Sequence, residues 1–126
     1  MKGRVLIVDD NAINLKLAAA TLRYDDYEVT TAADAESAQG LISTAPEEFD
    51  LILMDVSLPK MDGLTYTRLL KADPRTAHIP VVILTASAMR GDEQNARSAG
   101  ADGFISKPIN VGTFPQSIAR YLKPPT

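Results

Sequence analysis

The sequence predicts a doubly wound α/β domain, with a parallel sheet covered by helices on both faces. Three observations predict it. Short apolar runs alternate strictly with longer stretches of helical spacing, in five strand–helix units, which implies parallel strands joined by right-handed crossovers. The first, third and fourth runs are apolar without alternation, as in strands buried on both faces. The chain has 126 residues and neither an internal repeat, a low-complexity segment nor a linker, so it reads as one domain spanning residues 1–126.

The elements follow in order. Arg4-Val5-Leu6-Ile7-Val8 is the first strand. Two series at helical spacing follow it, Ile13, Leu17, Ala20 and Tyr24 beside Leu15, Ala18 and Leu22. Tyr27 to Thr31 is a weaker second strand, and Ala35, Ala38, Leu41 and Ile42 stripe the second helix. Leu51 to Met54 is the third strand. The third helix carries Leu64, Leu69 and Leu70 and stops at Asp73-Pro74, because proline cannot continue it. Val81 to Leu84 is the fourth strand, followed by a poorly amphipathic helix from about Met89 to Ala99. Gly103 to Ile105 is the fifth strand. Phe114, Ile118, Tyr121 and Leu122 mark the last helix, with Thr113-x-x-Gln116 as its capping box and Pro115 in its first turn.

Composition excludes several chemistries. The absence of cysteine removes disulfides, thiolate metal sites and thiol nucleophiles. A single histidine, His78, rules out a multi-His metal centre and most triads within one chain, and its loop position reads as exposed. A net charge of −3 argues against a broad nucleic-acid surface. No apolar run approaches the ~20 residues of a membrane span, and the short apolar stretch after Met1-Lys2-Gly3 is too brief for a signal peptide. A cytoplasmic protein is expected.

Open α/β sheets bind ligands outside the carboxyl ends of their strands. The residues predicted there are Asp9, Asp10 and Asn11 after the first strand, Asp55 after the third, Thr85 and Ala86 after the fourth, and Ser106, Lys107 and Pro108 after the fifth. Singly, each suits a loop, a cap or plain surface. Together they bring three carboxylates, a hydroxyl and an ammonium to one edge. Three carboxylates that close together repel, so either their pKa values rise or a cation sits among them. All-oxygen donors select a hard ion, Mg²⁺ or Mn²⁺, which completes its shell with water and phosphate oxygens. Metal, lysine and threonine would then clamp three phosphoryl oxygens, leaving a carboxylate as nucleophile. No glycine-rich phosphate loop competes for this role.

These segments resemble the CheY-like receiver domain of bacterial two-component response regulators. The resemblance is carried by Val5 to Asn11, Leu51 to Gly63, Ile79 to Ala86 and Gly100 to Pro108, and it extends over essentially the whole chain. Asp-Asp-Asn-x-x-Asn at residues 9–14 and Met89 to Glu93 are most similar to stand-alone, single-domain members, and also to receivers attached to hybrid histidine kinases. The family implies a flavodoxin-like (βα)5 sheet in the order 2-1-3-4-5. It implies Asp55 as phosphoacceptor, and Mg²⁺ held directly by Asp10, Asp55 and the Ser57 backbone carbonyl, with Asp9 acting through a metal-bound water. It implies Lys107, aimed by a cis Lys107–Pro108 peptide, on a phosphoryl oxygen, and Thr85 moving to bond the phosphoryl group. Phe104 takes the switch aromatic position. Many relatives have Tyr there, so a hydroxyl cannot report the switch in this chain. The family also implies that Ser57 and Ser87 flank the path of attacking water and set the phosphoryl lifetime.

The phosphodonor implied is a histidine kinase or phosphotransfer protein. No effector segment follows the last helix, so output is expected as protein–protein contact through the face of the fourth helix, fifth strand and fifth helix, near Arg90, Arg97, Arg120 and Lys123, by a monomer or weak phosphorylation-dependent dimer. Two rival roles are a phosphate sink or relay module of a hybrid kinase system, and a Mg²⁺-dependent aspartyl phosphohydrolase. Ser57 stands where such a phosphatase carries its acid, which speaks against the second and for a signalling module over an enzyme.

Overall fold

The computed structural model describes residues 2–85 and 90–122. The chain runs β1 (Arg4–Val8), α1 (Ala12–Tyr24), β2 (Glu28–Ala32), α2 (Ala35–Thr44), a 3-10 turn (Pro46–Glu48), β3 (Leu51–Asp55), α3 (Gly63–Ala72), β4 (Val81–Thr85), α4 (Arg90–Ser98), β5 (Gly103–Ser106) and α5 (Phe114–Tyr121). The sheet is wholly parallel, in the order β2-β1-β3-β4-β5, as expected. The short 3-10 turn was not among the predicted elements.

The continuous apolar runs are explained by what covers them. Alternate residues of each central strand face opposite layers. Leu6, Val8, Ile52, Met54, Val81 and Ile83 pack with α2, α3 and Ala96 of α4. Val5, Ile7, Leu51, Leu53, Val82 and Leu84 pack with α1 and α5, chiefly Ala18, Leu22, Phe114 and Ile118. Every residue of β3 and β4 is buried.

Several local expectations are corrected. Asp55, Thr85 and Ser106 are the last residues of their strands, rather than the first residues beyond them, because ladder pairing continues through Asp55–Leu84 and Thr85–Ser106. β2 begins one residue later than predicted. Of the two series on α1, only Leu15, Ala18 and Leu22 face the core, whereas Ile13 is 78% and Tyr24 95% exposed. Leu41 and Leu69 likewise turn outward from the predicted stripes of α2 and α3. The capping box of α5 does not form. Thr113 itself has helical backbone angles and makes no side-chain cap bond, because the turn from Asn110 already closes on the Phe114 N–H at 2.8 Å. Pro115 does occupy the first turn. His78 is exposed, as expected. Met89, Ala86, Ser87 and Lys123 lie outside the described residues, as does the side chain of Arg90. Among the described residues no helix is long and apolar enough to cross a membrane.

Candidate functional site

β1, β3 and β4 end side by side, and their register sets the site. The loop after β1 is fixed by Asn11, which caps α1 by accepting the N–H groups of Ile13 and Asn14, each at 3.0 Å. The cap holds the Asn11 backbone so that its own N–H donates to Asp9 Oδ1 at 2.9 Å. Asp9 also donates its backbone N–H to the Ala32 carbonyl at the end of β2. One short loop thereby folds Asp9 inward, 1% exposed, and leaves Asp10 outward and exposed. Sequence reasoning offered a helix cap as one bland reading of the acidic pair, but the cap is Asn11 and the buried carboxylate is Asp9.

Asp55 ends β3 and is 4% exposed. The turn that follows folds back on it: the Gly63 N–H donates to the Val56 carbonyl at 3.0 Å, and the Val56 N–H to the Leu84 carbonyl at 3.2 Å. Gly63 lies directly against the Asp55 carbonyl, and a Cβ at this position would collide with that backbone atom. Gly63 therefore lets α3 begin against the end of β3, a constraint visible in the sequence only as one glycine after Asp62. Asp62 caps α3, accepting the Thr65 N–H at 2.8 Å.

Each of Asp9, Asp10 and Asp55 offers a carboxylate oxygen, and these atoms lie within 4.8 Å of one another. It is the one such group among the described residues. Lys107 crosses from the end of β5 and places its Nζ 2.9 Å from Asp55 Oδ1 and 3.2 Å from Asp9 Oδ2. Its backbone N–H donates to the Thr85 carbonyl at 2.7 Å, and the Lys107–Pro108 peptide is cis. Thr85 is buried at the end of β4. Ser57 is exposed, two residues beyond Asp55. Phe104 is partly buried on β5, opposite Ile83 and packed against the α2–α4 layer.

Electrostatics marks the cluster as incomplete. Burial pushes the Asp9 carboxyl above its usual range, the Asn11 N–H opposes this, and the Asp55 charge adds to the rise. Burial works against the Lys107 ammonium, but the bonds and charges of Asp55 and Asp9 outweigh it and hold its pKa above the ordinary value. Fully ionised, three carboxylates face one ammonium, leaving two uncompensated negative charges in a largely buried cleft. The donor set is all oxygen and partly open to solvent through Asp10, which fits a hard divalent ion that keeps several waters.

Comparison with known proteins agrees with this geometry. The family model of the response regulator receiver domain matches residues 5–119. The polar-differentiation response regulator DivK of Brucella ovis is 41% identical over 122 residues, covering 97% of this chain and 98% of its own. The chemotaxis response regulator CheY4 of Vibrio cholerae superposes with a TM-score of 0.88 at 31% identity, over 95% of this chain and 98% of its own. A response regulator structure from Chloroflexus aurantiacus gives 0.89 at 28% identity, over 94% and 96%. With the fold, the acidic cleft and these likenesses in agreement, the chain belongs to the response regulator receiver domain family, whose members take a phosphoryl group on an aspartate and bind a divalent metal through their aspartate cluster.

Proposed function

We propose that this chain is a single-domain response regulator that accepts a phosphoryl group on Asp55 from a histidine kinase or phosphotransfer protein, and signals by phosphorylation-switched contact with a protein target. The observation that carries the assignment to Asp55 is the 2.9 Å contact of Lys107 with its carboxylate, inside a cleft that two further aspartates line. Asp9 is also buried and lies 3.2 Å from the same lysine; Asp55 differs in its shorter lysine contact and in ending β3 beside β4, whose last residue is Thr85.

In this reading, an Asp55 carboxylate oxygen attacks the phosphorus of the donor. The new O–P bond forms as the N–P bond of phosphohistidine breaks and the imidazole leaves with its electron pair. The transferred group arrives with three charged oxygens, so the cleft must supply positive charge and donors where that charge sits. Lys107 gives one oxygen a charge-assisted hydrogen bond, exchanging part of its contact with Asp55 for it. The Thr85 hydroxyl donates to another. Asp10, Asp55 and the Ser57 carbonyl, with Asp9 through water, would hold Mg²⁺ (or Mn²⁺), which when bound would supply the positive charge that the cleft lacks. Ser57 stands where a hydrolytic acid would be needed, so departure of an alkoxide is unassisted while a good leaving group such as imidazole needs no help. Ser57 tunes the lifetime of the acyl phosphate; its partner in that role, Ser87, lies outside the described residues.

The switch runs from Thr85 to Phe104 on the adjacent strand, and outward to the face of α4, β5 and α5, where Arg97 and Arg120 are exposed. Intact mass after incubation with acetyl phosphate tests the reading. A single phosphoryl adduct that requires Mg²⁺ is expected; no adduct with either acetyl phosphate or a purified histidine kinase overturns it. Multiple turnover of a chromogenic phosphomonoester would instead identify a phosphohydrolase.

A further inference from the structure

On the α2–α3 side of the molecule lies a cavity of about 380 Å³ that the phosphoryl chemistry does not use. Its floor is apolar: Pro59, Met61 and Tyr66 line it. Tyr66 is buried, and its hydroxyl is already engaged, donating to Gln39 Oε1 at 2.7 Å. The Gln39 amide nitrogen donates in turn to Ser43 at 2.8 Å. The floor therefore offers a thioether, a phenol ring and aliphatic carbon, which favour an aromatic group. The volume lies within the range of pockets that bury a compact ligand or an anchoring side chain.

The rim has a sign. Asp34, Glu36 and Lys60 stand on it, so two negative charges face one positive. Asp34 is pinned as the cap of α2, accepting the Ser37 N–H at 2.7 Å, and that bond keeps its carboxyl ionised by holding it below the usual range. Leu69, 52% exposed at the lip, extends the apolar surface beyond the area one ring covers. That extension suits an aromatic residue held in a peptide better than a free ring.

The third wall is the loop that leaves Asp55. Lys60 adopts a left-handed backbone (φ 66°), and the Met61 N–H closes a tight turn on the Pro59 carbonyl at 2.7 Å. Whatever fills the cavity bears on this turn, and the Gly63 N–H just beyond it bonds the carbonyl of Val56, the neighbour of Asp55.

We propose that this cavity receives an aromatic side chain from a partner protein, presented by a segment whose flanking residues are lysine or arginine. The test is amide chemical-shift mapping of the ¹⁵N-labelled protein with three capped tripeptides: Lys-Trp-Lys, Glu-Trp-Glu and Lys-Ala-Lys. Lys-Trp-Lys is expected to shift the amides of Ala35, Glu36, Met61 and Leu69, with Glu-Trp-Glu binding about threefold more weakly, as a rim charge contact dictates, and Lys-Ala-Lys not at all. Glu36→Lys is expected to abolish or reverse the charge preference, and Leu69→Lys to weaken binding of both tryptophan peptides. Dispersion of the remaining cross-peaks reports that each variant is folded. Shifts confined to another surface, equal response to all three peptides, or no response at millimolar peptide would overturn the proposal. So would binding by free indole as tight as by Lys-Trp-Lys, which would mark a small-molecule pocket. The readout involves no phosphoryl transfer, so its failure leaves the reading of Asp55 untouched.

Discussion

Two lysines of this domain reach aspartates at nearly the same distance, and they do opposite things. Lys71 on α3 meets Asp102 at 2.8 Å and donates also to the carbonyls of Ala77 and Ile79, at 3.2 and 2.7 Å. An ammonium has three donors, and here all three are used. Asp102 Oδ2 takes in addition the Val81 N–H at 2.8 Å. This pair is balanced in charge, partly exposed and closed: it staples α3, the approach to β4 and the approach to β5. Lys107 meets Asp55 at 2.9 Å and Asp9 at 3.2 Å, more deeply buried, with Asp10 close by. That group is unbalanced by two charges. The first arrangement finishes a fold; the second leaves an excess of negative charge that a divalent cation can offset. A lysine–carboxylate distance alone does not separate them, whereas charge balance and burial do.

The contrast can be broken or sharpened by substitution. The largest effect is expected for Lys107→Met in metal-free buffer at neutral pH. It leaves two buried carboxylates repelling without a counter-ion and costs about 3–5 kcal/mol in urea unfolding. A cost below that of Lys71→Met would contradict the ranking. Lys71→Met is expected to cost about 1–3 kcal/mol, from unsatisfied carbonyls and an unpaired Asp102, while phosphoryl uptake from acetyl phosphate persists.

Asp55→Asn is expected to go the other way. Without metal, it removes one of three carboxylates that lie within 4.8 Å of one another, so the variant is expected to gain about 1 kcal/mol in thermal or urea unfolding. Mg²⁺ at ten times its dissociation constant is expected to stabilise the unsubstituted protein by about 1.4 kcal/mol, and the variant by less. The smallest effect concerns pH. Asp9 has its pKa raised in the folded state, so it adds stability that is fully present below the ordinary aspartate value of 3.8 and lost as pH rises through the higher folded value. In metal-free buffer, Asp9→Asn should flatten that decline in stability with rising pH; an unchanged slope would remove Asp9 as its source.

Much of this was legible in the sequence for a definite reason. Strands buried on both faces must be apolar throughout, so the central strands announce themselves, and the rule that ligands gather at strand carboxyl ends then collects Asp9, Asp10, Asp55, Thr85 and Lys107 from distant segments. The misreadings were those where spacing is degenerate. Ile13, Leu17 and Tyr24 share a helical period with Leu15, Ala18 and Leu22, and only the crossover of α1 onto the sheet chooses which series is buried. The capping motif at Thr113 failed because a preceding turn, set by Asn110, had already taken the helix start. Gly63 was hidden because a glycine needed for close approach looks like any other turn glycine.

If the unbalanced cleft directs phosphoryl transfer, Asp55 is the residue modified. The most direct test is to phosphorylate the protein with acetyl phosphate and Mg²⁺, reduce the acyl phosphate with borohydride, and sequence the resulting peptides by mass spectrometry. Reduction converts an acyl-phosphorylated aspartate to homoserine. Homoserine at position 55, absent when Mg²⁺ is withheld, is the result predicted. Homoserine at position 9 or 10 instead, or at none of the three, would contradict the account.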